Sequence, residues 1–127
     1  MLKEQKNSKK QGDVGIGLAI GYFASKGITV CVPLTDSQDY DLVVDMNGFK
    51  KIQVKTTYYK QSSGRFAIEL RTKTHSMGKF YSQKTVSNDI DFLFIVTDDN
   101  TKYLIPRKLI KTKTSLTLSE KYSSFIL

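Results

Sequence analysis

The sequence predicts a single α/β domain, sandwich-like, built on a mixed β-sheet, and three observations lead there. An apolar stripe at three- and four-residue spacing lies between Gln11 and Lys26 and reads as a helix. A succession of short β-branched and apolar runs follows it, and these read as strands. Finally, 127 residues at 39% hydrophobic and 25% charged content suit one core of ordinary soluble composition, so the domain is expected to span 1–127.

Residues 1–10 carry Lys3, Lys6, Lys9 and Lys10 among polar neighbours, and a flexible basic arm is expected there. In the helix, Val14, Leu18, Ala19, Tyr22 and Phe23 supply the stripe, and Gly27 is placed to end it. Gly15, Gly17 and Gly21 each cost about 1 kcal/mol relative to alanine, so packing against the rest of the fold must hold this segment. The glycine run is not a dinucleotide-binding loop, because no strand precedes it and the spacing is wrong. Val14 to Ala24 is about half the length of a membrane span, and no membrane partner is expected. A signal peptide is also rejected: Asp13 interrupts the run, and no small-residue cleavage site precedes Lys26.

Ile28 to Pro33 reads as a strand with Cys31 buried in it. A lone cysteine argues against a disulfide scaffold and fits a cytoplasmic protein. Leu34 to Asp39 is a polar loop that delivers the chain to a β-hairpin, Tyr40 to Lys55. An Asn47-Gly48 turn of two residues would pair Leu42 with Gln53 and mix apolar with polar side chains on both faces. A three-residue loop, Met46-Asn47-Gly48, pairs Asp45 with Phe49, Val43 with Lys51 and Asp41 with Gln53. Leu42, Val44, Ile52 and Val54 then share one face, as a buried side requires. That pattern favours the longer loop, drawn as a type I turn from Asp45 with Gly48 as the left-handed bulge residue. It places Asp41, Gln53 and Lys55 together on the other face.

Beyond the hairpin, Tyr58 to Gly64 is a linker and Arg65 to Arg71 alternates as a strand. Thr72 to Asn88 shows little periodicity and reads as a long surface segment. Asp91 to Thr97 is a strongly apolar strand, which Asp98 to Thr101 turn into a second strand, Lys102 to Pro106. Arg107 to Ile110 starts a short helix or turn, and the remainder carries no clear pattern.

The net charge of +8, with pI near 9.5, points to a polyanion. Nucleic acid fits better than an anionic membrane, since no long basic amphipathic helix is evident. Lys50, Lys51, Lys60, Arg65, Arg71, Lys73, Lys79 and Lys84 cluster around or after the hairpin, interleaved with Tyr58, Tyr59, Phe80 and Tyr81. These are the expected contacts to nucleic acid. His75, the sole histidine, is expected to touch phosphate or water rather than to do chemistry. Asp45 is read as a turn former and Glu69 as the partner of a neighbouring basic residue.

An aspartate beside a second oxygen ligand is the minimum for a hard divalent cation, and Mg²⁺ commonly takes only one or two carboxylates. Gln53 offers a side-chain carbonyl and Val54 a backbone one. Lys55, two residues on, can orient water and offset the charge that develops on a phosphate.

The order of these features resembles the PD-(D/E)XK nuclease superfamily: a helix with an acidic residue, a strand, Asp, a hairpin, then acid-or-amide-x-Lys. Gly12-Asp13, Val32-Pro33-Leu34, Tyr40-Asp41-Leu42-Val43 and Gln53-Val54-Lys55-Thr56 are similar to the branch containing group I intron-encoded homing endonucleases, which uses Gln in the second acidic position. The resemblance runs over residues 9 to about 57, and more loosely to the Asp91–Pro106 strand pair. It implies a restriction-endonuclease-like core, a mixed sheet flanked by helices. It also implies a metal-dependent, site-specific DNA endonuclease acting as a homodimer or homotetramer, with Mg²⁺ as cofactor and Mn²⁺ as substitute. By the same resemblance Asp41 is the central metal ligand, Gln53 the second, Val54 the carbonyl ligand and Lys55 the catalytic lysine. Asp13 stands where an acidic residue, commonly Glu, is usual, and Tyr40 where the superfamily has Pro. A Holliday-junction resolving nuclease and an inactive nuclease-fold DNA-binding module are the rival readings.

Overall fold

A computed structural model describes the backbone of residues 1–76 and 79–127, and the side chains of residues 1–71 and 85–127. The chain opens with helix α1 (Ser8–Ser25), three residues earlier than the apolar stripe. Asn7 explains the early start: its side chain accepts from the Lys10 N–H at 3.0 Å, satisfying one of the donors a helix leaves open. At the other end Gly27 takes φ +74°, with Gly27 N–H donating to Ala24 and Ile28 N–H to Phe23. That paired arrangement is a Schellman motif, and glycine makes it accessible.

The expected basic arm at residues 1–10 is instead tied down. Leu2 is fully buried, and its N–H donates to Asp98 Oδ1 at 2.8 Å. Gln11 Nε2 also donates to the Leu2 carbonyl. One buried leucine and these two hydrogen bonds outweigh the tendency of a basic terminus to fray.

Strands β1 (Val30–Cys31), β2 (Leu42–Asp45), β3 (Phe49–Thr57), β7 (Phe92–Thr97) and β8 (Lys102–Pro106) form a five-stranded mixed sheet in the order β1-β2-β3-β7-β8. Only the central β3–β7 pair is parallel, with Gln53 opposite Leu93 and Lys55 opposite Ile95. β1 is much shorter than expected, and Cys31 is exposed rather than buried. As an edge residue opposite Val43 it faces away from the helix.

The hairpin pairs Asp45 with Phe49, Val43 with Lys51 and Leu42 with Ile52, so its loop is Met46-Asn47-Gly48. The turn itself is not type I: Asn47 takes φ +53° and Gly48 φ +105°, while Met46 N–H donates to the Gly48 carbonyl. Asparagine tolerates the left-handed region well enough to tighten the loop around itself.

The two faces of the sheet are covered differently. Ala19 and Phe23 of α1 pack on Leu42, Val44, Ile52, Phe94 and Val96. The opposite face carries Leu93, Ile95 and Ile105 beneath Ile68, Leu70, Leu116 and Tyr122. Strands β4 (Ala67–Glu69) and β9 (Ser115–Thr117) pair antiparallel within that second layer. Among the described residues α1 flanks the mixed sheet on one face and the β4–β9 ribbon covers the other. The 72–88 segment, expected to lack regular structure, contains a third, two-stranded sheet of β5 (Thr72–Ser76) against β6 (Lys79–Lys84), with a register shift between Thr74 and His75. That shift breaks the alternation a strand reading depends on.

Candidate active site

β2 stops pairing at Leu42, and one more residue of chain, Asp41, continues alongside β3. Asp41 N–H donates to the Ile52 carbonyl at 2.8 Å, and Val54 N–H donates to Asp41 Oδ2 at 2.7 Å. A side chain thus takes over the ladder where the backbone leaves it. Because an antiparallel residue turns its N–H and C=O the same way, the Val54 carbonyl also faces the Asp41 side of β3.

Leu42 and Ile52 face α1, so alternation turns Asp41, Gln53 and Lys55 to the other face, beside Leu93 and Ile95. There the ribbon layer partly shields them from water, and each is half-buried. Burial pushes the Asp41 carboxyl up from its ordinary value, against the Val54 N–H and the Lys55 ammonium, which pull it down. Burial likewise draws Lys55 below the ordinary lysine value, opposed by the Asp41 and Glu69 carboxylates. Burial opposes both charges, and each of the two groups favours the charged form of the other.

Gln53 Oε1 is buried with no hydrogen-bond partner. A buried amide oxygen without a donor costs about 1–3 kcal/mol, and a cation in this position would relieve it. Among the described residues no group of three His, Cys, Asp or Glu side chains converges on a metal position. One carboxylate, one amide oxygen and one peptide carbonyl are nonetheless a donor set for a hard cation that keeps several waters.

Asp13 is not brought to this cluster. Gly15 is the helix residue that meets β3: a Cβ there would lie 2.5 Å from Thr56 Cγ2 and 3.1 Å from Val54 Cγ1. Two positions earlier on a helix is a rotation of about 200°, so Asp13 projects away from the sheet and is exposed. The carboxylate that Lys55 feels besides Asp41 is Glu69, on β4. Sequence pattern gave Glu69 a basic neighbour, and Arg71 Nε does lie 2.6 Å from Glu69 Oε1. Nothing local in the sequence signals its approach to Lys55, which follows from the layering of β4 over β3.

The residues expected at DNA sit in several environments. Tyr58 and Tyr59 are exposed, as are Lys60 and Arg65. Lys60 Nζ lies 4.9 Å from the Phe66 ring centroid, and Lys51 Nζ 5.5 Å from that of Tyr40. Lys51 N–H donates to Asp91 Oδ2, and Lys50 is half-buried at the start of β3. Arg71 is engaged with Glu69. The side chains of Lys73, His75, Lys79 and Lys84 lie outside the described residues.

Comparison with known proteins agrees with this arrangement. A family model described as PD-(D/E)XK endonuclease matches residues 6–124. No curated protein sequence matches the chain. Among solved structures, the bacterial homing endonuclease I-Ssp6803I is similar, with a TM-score of 0.80 at 23% identity, over 94% of this chain and 88% of that one. At that identity the likeness is one of fold.

Proposed function

The chain belongs to the PD-(D/E)XK endonuclease family, and from that premise we propose that Asp41, Gln53 and Lys55 carry metal-dependent hydrolysis of phosphodiester bonds in duplex DNA. The observation that carries this reading is the buried, unpartnered Gln53 Oε1 beside the shielded Asp41 carboxylate. Asp41, Gln53 Oε1 and the Val54 carbonyl would hold one divalent cation, Mg²⁺ with Mn²⁺ as a substitute. Once bound, such an ion polarises a phosphate oxygen and lowers the pKa of a coordinated water.

The chain's own groups supply the rest. Val54 N–H fixes one oxygen of Asp41, which sets the direction of the other. The Asp41 and Glu69 carboxylates favour the protonated form of Lys55. Its ammonium then lies where negative charge grows on the phosphate during attack, an arrangement that stabilises the transition state more than the ground state. The ribbon layer keeps bulk water off Gln53 and Lys55, which strengthens each of these interactions.

A site-specific, homing-type role is the form of this activity we favour, supported by the homing endonuclease fold. One 127-residue domain with one such cluster cuts one strand, so a double-strand break calls for a homodimer or homotetramer in the cytoplasm. The test is supercoiled plasmid in Mg²⁺: the wild type nicks or linearises it, while Asp41→Ala and Lys55→Ala do not. Equal cutting by all three proteins would refute the assignment. Cutting of a four-way junction in preference to linear duplex would transfer it to the junction-resolving class.

A further inference from the structure

A cleft of about 690 Å³ opens at the end of the sheet where β3 and β7 begin and β8 finishes. It is lined by Lys50, Asp91, Arg107, Lys108, Lys111 and Lys113, among others. Five cations against one carboxylate give this cleft a net charge of +4, half of the chain's +8. We propose that it is a second contact surface for the DNA backbone, one that grips phosphates of the same duplex whose bond is cut at Asp41. The proposal rests on the nuclease reading and extends it to residues after β8.

Arg107 shows that the cleft is built rather than a chance crowding of lysines. Its guanidinium donates to the carbonyls of Val86, Ser87 and Ile110 and to Asn88 Oδ1, at 2.9 to 3.1 Å. It rivets the 86–88 loop to the turn at Ile110 and so fixes the rim from which Lys108, Lys111 and Lys113 project. Asp91 accepts from the Lys51 N–H and caps the start of the parallel pair. Two of the charged groups are therefore structural, and the exposed Lys108, Lys111 and Lys113, with half-buried Lys50, face solvent.

Position selects the partner. Lys50 precedes Gln53 by three residues on β3, roughly 10 Å along the strand, and the odd spacing turns it to the α1 face, so the cleft would meet the duplex around the end of the sheet rather than in line with the cluster. A cleft for a small anion would close around it and satisfy its oxygens with several directed donors. This one is a broad, open array of flexible ammonium groups, which neutralise a polyanion without reading its sequence. Lysine supplies that term as counterion release, so each phosphate contact contributes about −0.9 to the slope of log affinity against log salt.

The experiment measures binding of the full chain to a labelled duplex in EDTA between 50 and 200 mM salt, with plasmid cleavage in Mg²⁺ recorded separately. The triple variant Lys108→Gln, Lys111→Gln, Lys113→Gln is compared with wild type and with Lys3→Gln, an exposed lysine whose N–H donates to Asp98 past the far end of β7 from the cleft. The expected result is at least a tenfold loss of affinity and a slope shallower by about 2 to 3, with Lys3→Gln unchanged. A wild type that binds steeply and a triple variant that keeps its slope overturn the cleft alone. A wild type that neither binds nor cuts duplex overturns the nuclease reading and this inference together. Circular dichroism of the triple variant confirms that any loss is not one of folding.

Discussion

The Val54 N–H is held by the Asp41 carboxylate at 2.7 Å, at the first position where β3 has no backbone partner on that side. A side chain doing the work of a strand explains how an acidic group comes to be fixed, shielded and available at once. It also makes the cost of Asp41 measurable.

Asp41→Asn is expected to abolish cleavage while leaving the fold intact or more stable. The folded carboxyl sits above its ordinary value of 3.8, so between 3.8 and the folded value the native state binds more protons than the unfolded chain. Stability is therefore lost as pH rises through that window, and the full cost is present above it. The excess stability of Asp41→Asn over wild type, followed by thermal unfolding in EDTA, should be largest at neutral pH and shrink as pH falls toward 3.8. A constant difference across pH would contradict this.

Lys55 gives the opposite limb. Its folded value lies below 10.5, so the native state binds fewer protons than the unfolded one between the two values. Its burial therefore weakens the fold below that window, and the cost is relieved as pH rises toward 10.5. Cleavage that needs the ammonium should fall with pH through the lowered value, before an ordinary lysine would titrate. Lys55→Arg should move that alkaline limb upward at a rate cost on the order of 10²-fold, because a guanidinium stays charged but sits differently. Single-turnover rates against pH decide it.

Gln53→Met replaces the unpartnered Oε1 with an apolar group of similar length. Thermal unfolding without metal should show a gain of about 1–2 kcal/mol, since no hydrogen bond is lost and a buried acceptor is removed. Stabilisation by Mg²⁺, read as a shift in Tm, should shrink in the same variant. A destabilised variant would mean that Oε1 has a donor in solution.

Gly15→Ala should cost about 1–3 kcal/mol in chemical denaturation, although alanine is the better helix former, because its Cβ meets Thr56 at 2.5 Å. Gly17→Ala and Gly21→Ala, with open space at the Cβ position, should instead gain up to about 1 kcal/mol each.

The pattern Leu42, Val44, Ile52, Val54 was enough to read the register that gathers Asp41, Gln53 and Lys55, because a buried face admits only one of the two slips. The turn type was not legible, since a choice between left- and right-handed Asn47 leaves the register unchanged. Cys31 departs from the buried position its apolar run suggests because hydrophobicity shows that a strand is apolar but not that it lies at an edge. β9 was invisible: three residues, Ser115 to Thr117, are too few for periodicity, and only pairing with β4 defines them. The departure of Asp13 and the approach of Glu69 share one cause. Which face a layer covers is a property of the assembled sheet, and neither Gly12-Asp13 nor Ile68-Glu69 encodes it locally.

β3 and β7 are the two strands of the parallel pair, and each has a further neighbour on its outer side. Gln53 and Lys55 therefore stand on a strand paired along both edges, whereas Tyr58 to Arg65 and the stretch around Lys111 lie outside the sheet. On the proposed assignment, warming or mild denaturant should open the segments assigned to DNA before the strand that carries Gln53 and Lys55, an order that hydrogen exchange would read.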